Sequence, residues 1–275
     1  METRPFGSGG IPVPVLGQGT WMMERDDRAS AIAALRRGID LGLAHIDTAE
    51  MYGSGKVEEI VGEAIQGLRD RVFLVSKVLP SNASYAGTLE ACGRSLKALK
   101  TDALDGYLLH WPSSHPLEET IRAFEKLSKD GKIRSYGVSN FDVKGMEEAL
   151  RIAGKGRIAC NQVLYNLGER TAEHAVLPWC EKNGIAVVAY CPIGAQSFRS
   201  SPALDAIAAA RRATPRQIAL AFLIRRKSVF AIPKSSVVRH VGENAAAAEI
   251  ALNDDEVRRI DEAFPRGPWR GLATA

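Results

Sequence analysis

Cysteine is scarce in this 275-residue chain, and Cys92, Cys160, Cys180 and Cys191 show neither C-x-x-C spacing nor a histidine at metal-ligand separation. A disulfide scaffold and a zinc ribbon are excluded, and reduced thiols in a cytoplasmic protein are expected. No apolar run approaches the about 18 residues that a membrane span needs, and residues 1–7 hold no apolar stretch for export, so no membrane partner is expected. Neither charge sign dominates: 36 basic against 32 acidic residues leave a net +4. The densest basic clusters, Arg36-Arg37, Arg211-Arg212 and Arg225-Arg226-Lys227, fall in helix-like segments. They read as solvated helix faces, not as a stripe for nucleic acid. Linkers and low-complexity tracts are absent too, so residues 1–275 are expected to form one domain. With 45% hydrophobic and 25% charged residues the composition is globular, and a chain of this size buries about three-quarters of its unfolded surface. Disorder is excluded.

What is present is an alternation of short apolar runs with helical periodicity. The runs are Ala44-His45-Ile46-Asp47, Val72–Lys77, Leu104–His110, Ile133–Val138, Ile158–Gln162, Ile185–Tyr190 and Val229–Ile232. Their β-branched, nearly continuous apolar character suits strands covered on both faces. An eighth is expected around Val13-Pro14-Val15-Leu16-Gly17. Between the runs, Val57, Ile60, Val61, Ala64, Ile65 and Leu68 recur at the spacing that lines one helix face, as do Leu89, Cys92, Leu96 and Leu99, and Leu117, Ile121, Phe124 and Leu127. Ser201-Pro202 and Thr214-Pro215 mark helix starts, and Asn253 with Glu256 forms a capping box. Eight strand–helix units predict a (β/α)8 TIM barrel of about 250 residues, with a doubly wound open sheet as its rival. The first residues, split by Gly9-Gly10, are expected to form a β-hairpin that closes the barrel floor.

Active sites of such barrels lie at the carboxyl ends of the strands. Those ends are Asp47, Lys77, His110, Ser139-Asn140, Gln162, Tyr190 and Lys234. Any one alone is ordinary, since loops begin there. A carboxylate, a lysine and a histidine at three successive ends are more telling, because neighbouring strands lie about 4.8 Å apart and their ends converge. A lysine aimed into a barrel needs an anionic partner, and Asp47 supplies one to Lys77. Tyr52 follows Asp47 by five residues, and Gly53 and Gly55 permit a tight loop that folds its hydroxyl over the mouth.

Leu43-Ala44-His45-Ile46-Asp47-Thr48-Ala49-Glu50-Met51-Tyr52-Gly53 resembles the aldo-keto reductase signature. So do Ser76-Lys77, Leu108-Leu109-His110-Trp111-Pro112, residues 132–141 (Lys-Ile-Arg-Ser-Tyr-Gly-Val-Ser-Asn-Phe) and Ile232-Pro233-Lys234-Ser235. Five motifs match in order over nearly the whole chain, with a flavour of short bacterial reductases acting on methylglyoxal. The resemblance implies a barrel that binds NADP(H) without a Rossmann domain and reduces aldehydes or ketones to alcohols. It makes Tyr52 the proton donor, with Asp47, Lys77 and His110 beside it. The chemistry agrees: a phenol of pKa about 10 benefits as an acid from a cation that stabilises its phenolate, and an imidazole can polarise a carbonyl oxygen.

Ser139, Asn140 and Gln162 offer the donors and acceptors that a nicotinamide carboxamide needs, and Tyr190 can stack on its ring. By resemblance Gly19 and Thr20 lie near the nicotinamide ribose, and Cys191 and Ile193 along the pyrophosphate. Lys234, Ser235, Arg239, Glu243 and Asn244 take the adenosine end. Two departures stand out. His240 occupies the position of the family's usual arginine for the ribose 2′-phosphate, although Lys234 and Arg239 still offer two cations, and NADPH is expected over NADH. Cys191 replaces a common serine.

Trp21, Trp111 and Trp269 are expected to line an apolar mouth. The short connection after Trp111 and the eleven residues after Phe264 predict an open rim, broad tolerance for small or aromatic aldehydes, and a monomer. No metal is expected: His110 and His115 lack zincin spacing. Gly17-Gln18-Gly19 is not a dinucleotide fingerprint, since Met22 takes the third glycine's place. Gly53-Ser54-Gly55-Lys56 lacks the ends of a P-loop. Two rival readings stay open, a Schiff-base aldolase using Lys77 and a non-catalytic NADP(H)-sensing subunit of the same fold.

Overall fold

The computed structural model describes residues 1–194 and 198–274. A hairpin of β1 (Thr3–Phe6) and β2 (Ile11–Pro14) precedes eight parallel strands. These are β3 (Gln18–Gly19), β4 (His45–Asp47), β5 (Phe73–Val78), β6 (Leu104–Leu109), β7 (Ile133–Ser139), β8 (Ile158–Leu164), β9 (Ala186–Tyr190) and β10 (Val229–Ala231). They hydrogen-bond in sequence order, and parallel bridges from Leu16 to Ala231 and from Gly19 to Lys234 bring the last strand back to the first. The connections carry α1 (Arg28–Asp40), α2 (Lys56–Ala64), α3 (Tyr85–Leu99), α4 (Leu117–Lys129), α5 (Val143–Ala153) and α6 (Val176–Lys182). Helices α7 (Pro202–Ala210) and α8 (Pro215–Ile224) both lie between β9 and β10, and α9 (Val238–Ala246) and α10 (Asp254–Ala263) follow. The chain is the expected (β/α)8 barrel.

Strand alternation divides the apolar residues into two layers. Phe73, Val75, Leu108, Ala186, Val188 and Phe230 fill the barrel interior, while Leu74, Val78, Tyr107, Leu109, Val187 and Ala231 face the helices. The same period of two turns Lys77 inward beside Val75. Helix starts behave as their sequences require. Ser201 accepts from Leu204 N at 3.1 Å, and complete capping boxes stand at Thr214/Gln217 and Asn253/Glu256.

The hairpin forms the floor. Phe6 inserts among Phe73, Phe230 and His45, with ring centroids 5.0, 5.2 and 5.8 Å away. One expectation is corrected here. The run at Val13–Gly17 is not a single barrel strand: its start belongs to β2, and the barrel strand is the shorter β3. Pro12 and Pro14 have no N–H to give a central ladder, which suits them to a two-stranded edge. Gly17 then passes so close to β4 that a Cβ would lie 2.4 Å from the His45 carbonyl oxygen. Leu68 also falls outside α2, beyond Gly67 at φ +77°.

Candidate active site

At the carboxyl ends of the strands a cavity of about 300 Å³ opens, walled by Gly19, Thr20, Trp21, Asp47, Tyr52, His110, Trp111, Asn140, Gln162, Tyr190, Cys191, Ile193 and Lys234, with Met22 and Met51 beside them. Lys77 reaches it from below. Its ammonium is fully buried and donates to Asp47 Oδ1 at 2.5 Å, to the Thr48 carbonyl at 2.9 Å and to Tyr52 Oη at 3.3 Å. Three protons thus meet three acceptors. Burial alone would pull the Lys77 ammonium down, but Asp47 and the Tyr52 phenol reverse this and raise it above the ordinary lysine value.

Tyr52 hangs from a tight turn, Tyr52–Gly55, in which Gly53, Ser54 and Gly55 all have left-handed φ (56°, 54° and 90°). A Cβ at Gly53 would strike the Glu24 side chain at 2.8 Å, so the turn packs against the first strand–helix connection. The phenol is lifted above the ordinary tyrosine value. Burial is the larger influence, and Lys77, pulling the other way, does not cancel it. The cation tempers the cost of forming a phenolate, but the resting group is a fully protonated phenol. His110 begins the loop after β6, its ring edge-on to Tyr52 (5.8 Å) and stacked on Trp111 (4.0 Å, 16°). Burial, and then the nearby Lys77 charge, depress its imidazolium to about 2, so the ring is neutral.

A second set of bonds ties the strand ends together. Gln162 Nε2 donates to Asp47 Oδ2 at 2.8 Å, giving the carboxylate a partner on each oxygen. Tyr190 Oη donates to Asn140 Oδ1 at 2.9 Å, and Asn140 Nδ2 donates to the His110 carbonyl at 3.0 Å. Asn140 takes a left-handed φ of 64°, which asparagine tolerates better than most residues. Ser139 Oγ donates to the Gln162 carbonyl at 2.9 Å from behind the cavity wall. Thr20 Oγ1 donates to the Asp47 carbonyl at 2.9 Å. Cys191, at φ 47°, has its thiol pushed up by burial to about 11 and is a poor nucleophile.

The adenosine-end set is less unified. Lys234 is on the cavity wall and pairs with Asp26, whose carboxylate also accepts from Ser236 Oγ at 2.6 Å. Ser235 Oγ accepts from Val237 N at 3.0 Å within its own loop. Arg239 pairs with Glu243 along α9 and sets an NH2 nitrogen 2.9 Å from His240 Nε2. Asn244 is buried on the same helix. None of Ser235, Arg239, Glu243 and Asn244 reaches the cavity wall. Trp269 does not line the mouth either. It is 46% exposed and stands edge-on to His174 at 6.0 Å, because the tail after α10 is anchored there through Gly267 O and His174 Nε2 at 3.0 Å. Met22, Met51 and Asp26 were not assigned to the site from the sequence, although the first two adjoin Trp21 and Tyr52. No cluster of three or more His, Cys, Asp or Glu able to hold a metal occurs among the described residues, and no described helix is long and apolar enough to cross a membrane.

A phenol, an ammonium and a carboxylate are thus linked in series at the rim of a parallel (β/α)8 barrel, with a neutral imidazole beside them, an arrangement able to hold and release a proton at the cavity. The family model described as the aldo/keto reductase family matches residues 15–264, and the chain belongs to that family. It is 47% identical to methylglyoxal reductase YeaE of Escherichia coli (strain K12), over 94% of this chain and 93% of that protein. To glyoxal reductase of Bacillus subtilis (strain 168) it is 34% identical, over 92% of this chain and 89% of the relative. Among solved structures, an aldo/keto reductase from Klebsiella pneumoniae in complex with NADP and acetate superposes with a TM-score of 0.93 at 44% identity, covering 100% of both chains.

Proposed function

We propose that this chain reduces small, uncharged aldehydes and ketones, α-oxoaldehydes such as methylglyoxal among them, with NADPH as hydride source and Tyr52 as proton donor. The observation that carries this reading is the position of Lys77 Nζ, 2.5 Å from Asp47 Oδ1 and 3.3 Å from Tyr52 Oη, at the base of the cavity. The donor set fits a nicotinamide dinucleotide. The Asn140 and Gln162 amides match a carboxamide, the Tyr190 ring offers a flat surface, and Lys234 is a cation for phosphate. When bound, the reduced cofactor supplies hydride to the carbonyl carbon.

The chain's own groups manage the oxygen. Tyr52 Oη holds the proton that the oxygen must gain, and Lys77 steadies the phenolate left behind. Asp47 keeps Lys77 charged and fixes its direction, while Gln162 keeps Asp47 from turning. His110, uncharged, can donate one N–H to the carbonyl oxygen and so orient and polarise it. Trp21, Met22, Met51 and Trp111 leave room for a small apolar substituent. These walls favour neutral carbonyls over keto acids.

A Schiff-base role for Lys77 finds no support in this geometry, since all three of its protons are donated and its ammonium is stabilised. A purely sensing role is not favoured by an assembled donor chain. The test is a carbonyl panel followed by NADPH absorbance, with NADH in parallel. Tyr52→Phe should lower aldehyde reduction at least about a hundredfold while cofactor binding persists. Unchanged turnover removes Tyr52 from the reaction. A borohydride-trapped adduct on Lys77 supports the aldolase reading, and very slow turnover with tight NADPH retention supports the sensor.

A further inference from the structure

We infer that Asp26 sets how strongly this chain discriminates a phosphorylated from an unphosphorylated dinucleotide, by occupying the cation that an incoming phosphate would use. The inference rests on the cofactor reading above. Lys234 is the basic side chain on the wall of the main cavity among the described residues. Its ammonium donates to Asp26, and Ser236 Oγ holds the same carboxylate oxygen at 2.6 Å. Asp26 follows the short turn Met23–Arg25 and precedes α1, whereas Lys234 follows β10. The contact therefore joins the first and last strand–helix connections, directly over the bridge from Gly19 to Lys234 that closes the barrel.

Both partners are 32% exposed, so neither is locked away from water. Pairs in that setting are weak and exchange readily. A phosphate monoester carries more charge and more acceptor oxygens than a carboxylate, so it can displace Asp26. The displaced carboxylate remains nearby as a fixed negative charge and opposes the newcomer. Arg239 is in the same situation with Glu243 on α9. An anion entering here thus meets no unoccupied cation in the group formed by Lys234 and Arg239, and Asp26 is the competitor at the one on the cavity wall. A dinucleotide without the extra phosphate does not have to displace it.

Asp26→Asn keeps the shape and removes the charge. The helix start is unaffected, because α1 is capped by Asp27, which accepts from Ser30 N at 2.8 Å. Binding of NADP⁺ and NAD⁺ to the carbonyl-free protein is measured by calorimetry or tryptophan quenching. NADP⁺ should tighten about tenfold and NAD⁺ less than about threefold, the gain expected from freeing one partly exposed cation for a charge-assisted contact. In a Lys234→Met background the same Asp26 change should leave only the small gain in NADP⁺ that comes from removing a nearby like charge, less than about threefold, and none in NAD⁺. Ser236→Ala, which removes one of the two donors holding Asp26 but leaves its charge, should shift NADP⁺ by less than Asp26→Asn. Weaker binding of both dinucleotides in Asp26→Asn, an equal shift for both, or the same NADP⁺ gain without Lys234 each overturns the inference. Wild-type protein that binds neither dinucleotide overturns the cofactor reading itself, which is a separate result.

Discussion

Replacing Lys77 by methionine should cost far more stability than the loss of one surface charge, and a second change should return most of it without returning activity. The Lys77 and Asp47 side chains are 0% and 2% exposed. Methionine fills much of the lysine's volume but takes the donor from Asp47 Oδ1, leaving the buried carboxylate with the neutral Gln162 amide on Oδ2. Stranding one member of a buried ion pair costs about 3–5 kcal/mol. Asp47→Asn alone strands the ammonium instead, with a loss of the same order. The double variant Asp47→Asn/Lys77→Met carries no buried charge at these two positions, and neutral replacements of similar volume are often as stable as the pair they replace. The expected coupling between the two sites is therefore about 3 kcal/mol or more, well beyond the scatter seen for independent positions. Urea unfolding followed by circular dichroism measures it, with the slope compared across variants. Carbonyl reduction should remain lost in the double variant, because Tyr52 has no cation beside it. Additive losses, with the double variant as unstable as the two singles summed, would refute the contact. A stable double variant that still reduces carbonyls would refute the role of Lys77 in the chemistry.

Three further outcomes follow from the same coordinates. Phe6→Ala should destabilise the protein by about 3–5 kcal/mol in thermal or urea unfolding, because the ring fills the barrel floor and leaves a cavity when removed. His45 is held at about 4, against an ordinary 6.5, by burial, with Asp47 pulling up and Lys77 pulling down. The unfolded chain therefore takes up this proton at higher pH than the folded one, and stability falls as pH drops from about 6.5 towards about 4, by about 3 kcal/mol for the full shift. Substituting His45→Leu should flatten that part of the stability–pH curve relative to wild type, and an unchanged curve would count against it. Gln162→Met, which removes the donor to Asp47 Oδ2, should lower kcat about tenfold with an altered pH profile. A change confined to cofactor affinity would show instead that Gln162 does not hold Asp47.

The sequence carried the barrel well because its two periods are local. Alternation in Phe73–Val78 places Lys77 on the inner face, and the boxes at Thr214 and Asn253 start their helices where their side chains alone dictate. The boundary at Val13–Gly17 was illegible for the opposite reason: whether those residues join β1 or β10 is decided between partners such as Arg4 and Thr3, close in sequence, and Ala231, near the other end of the chain. Asp26 stayed hidden because its partner, Lys234, lies at the other end of the chain. The net effect on Tyr52 was out of reach on a different ground. A neighbouring cation is visible as a motif, but the dryness of the pocket that outweighs it is a property of the assembled loops. Trp269 looked like a rim residue only until the tail's anchor at His174 placed it outside.

The ring of Phe6 plugs the base of the barrel, opposite the cavity at the carboxyl ends of the strands. On the proposed reaction, whatever restores a proton to Tyr52 after turnover is expected to arrive from the side by which the carbonyl came in, since the rings of Phe6, Phe73 and Phe230 pack the base. Recharging of that acid and departure of the alcohol would then share one doorway, with solvent reaching the phenol as it clears.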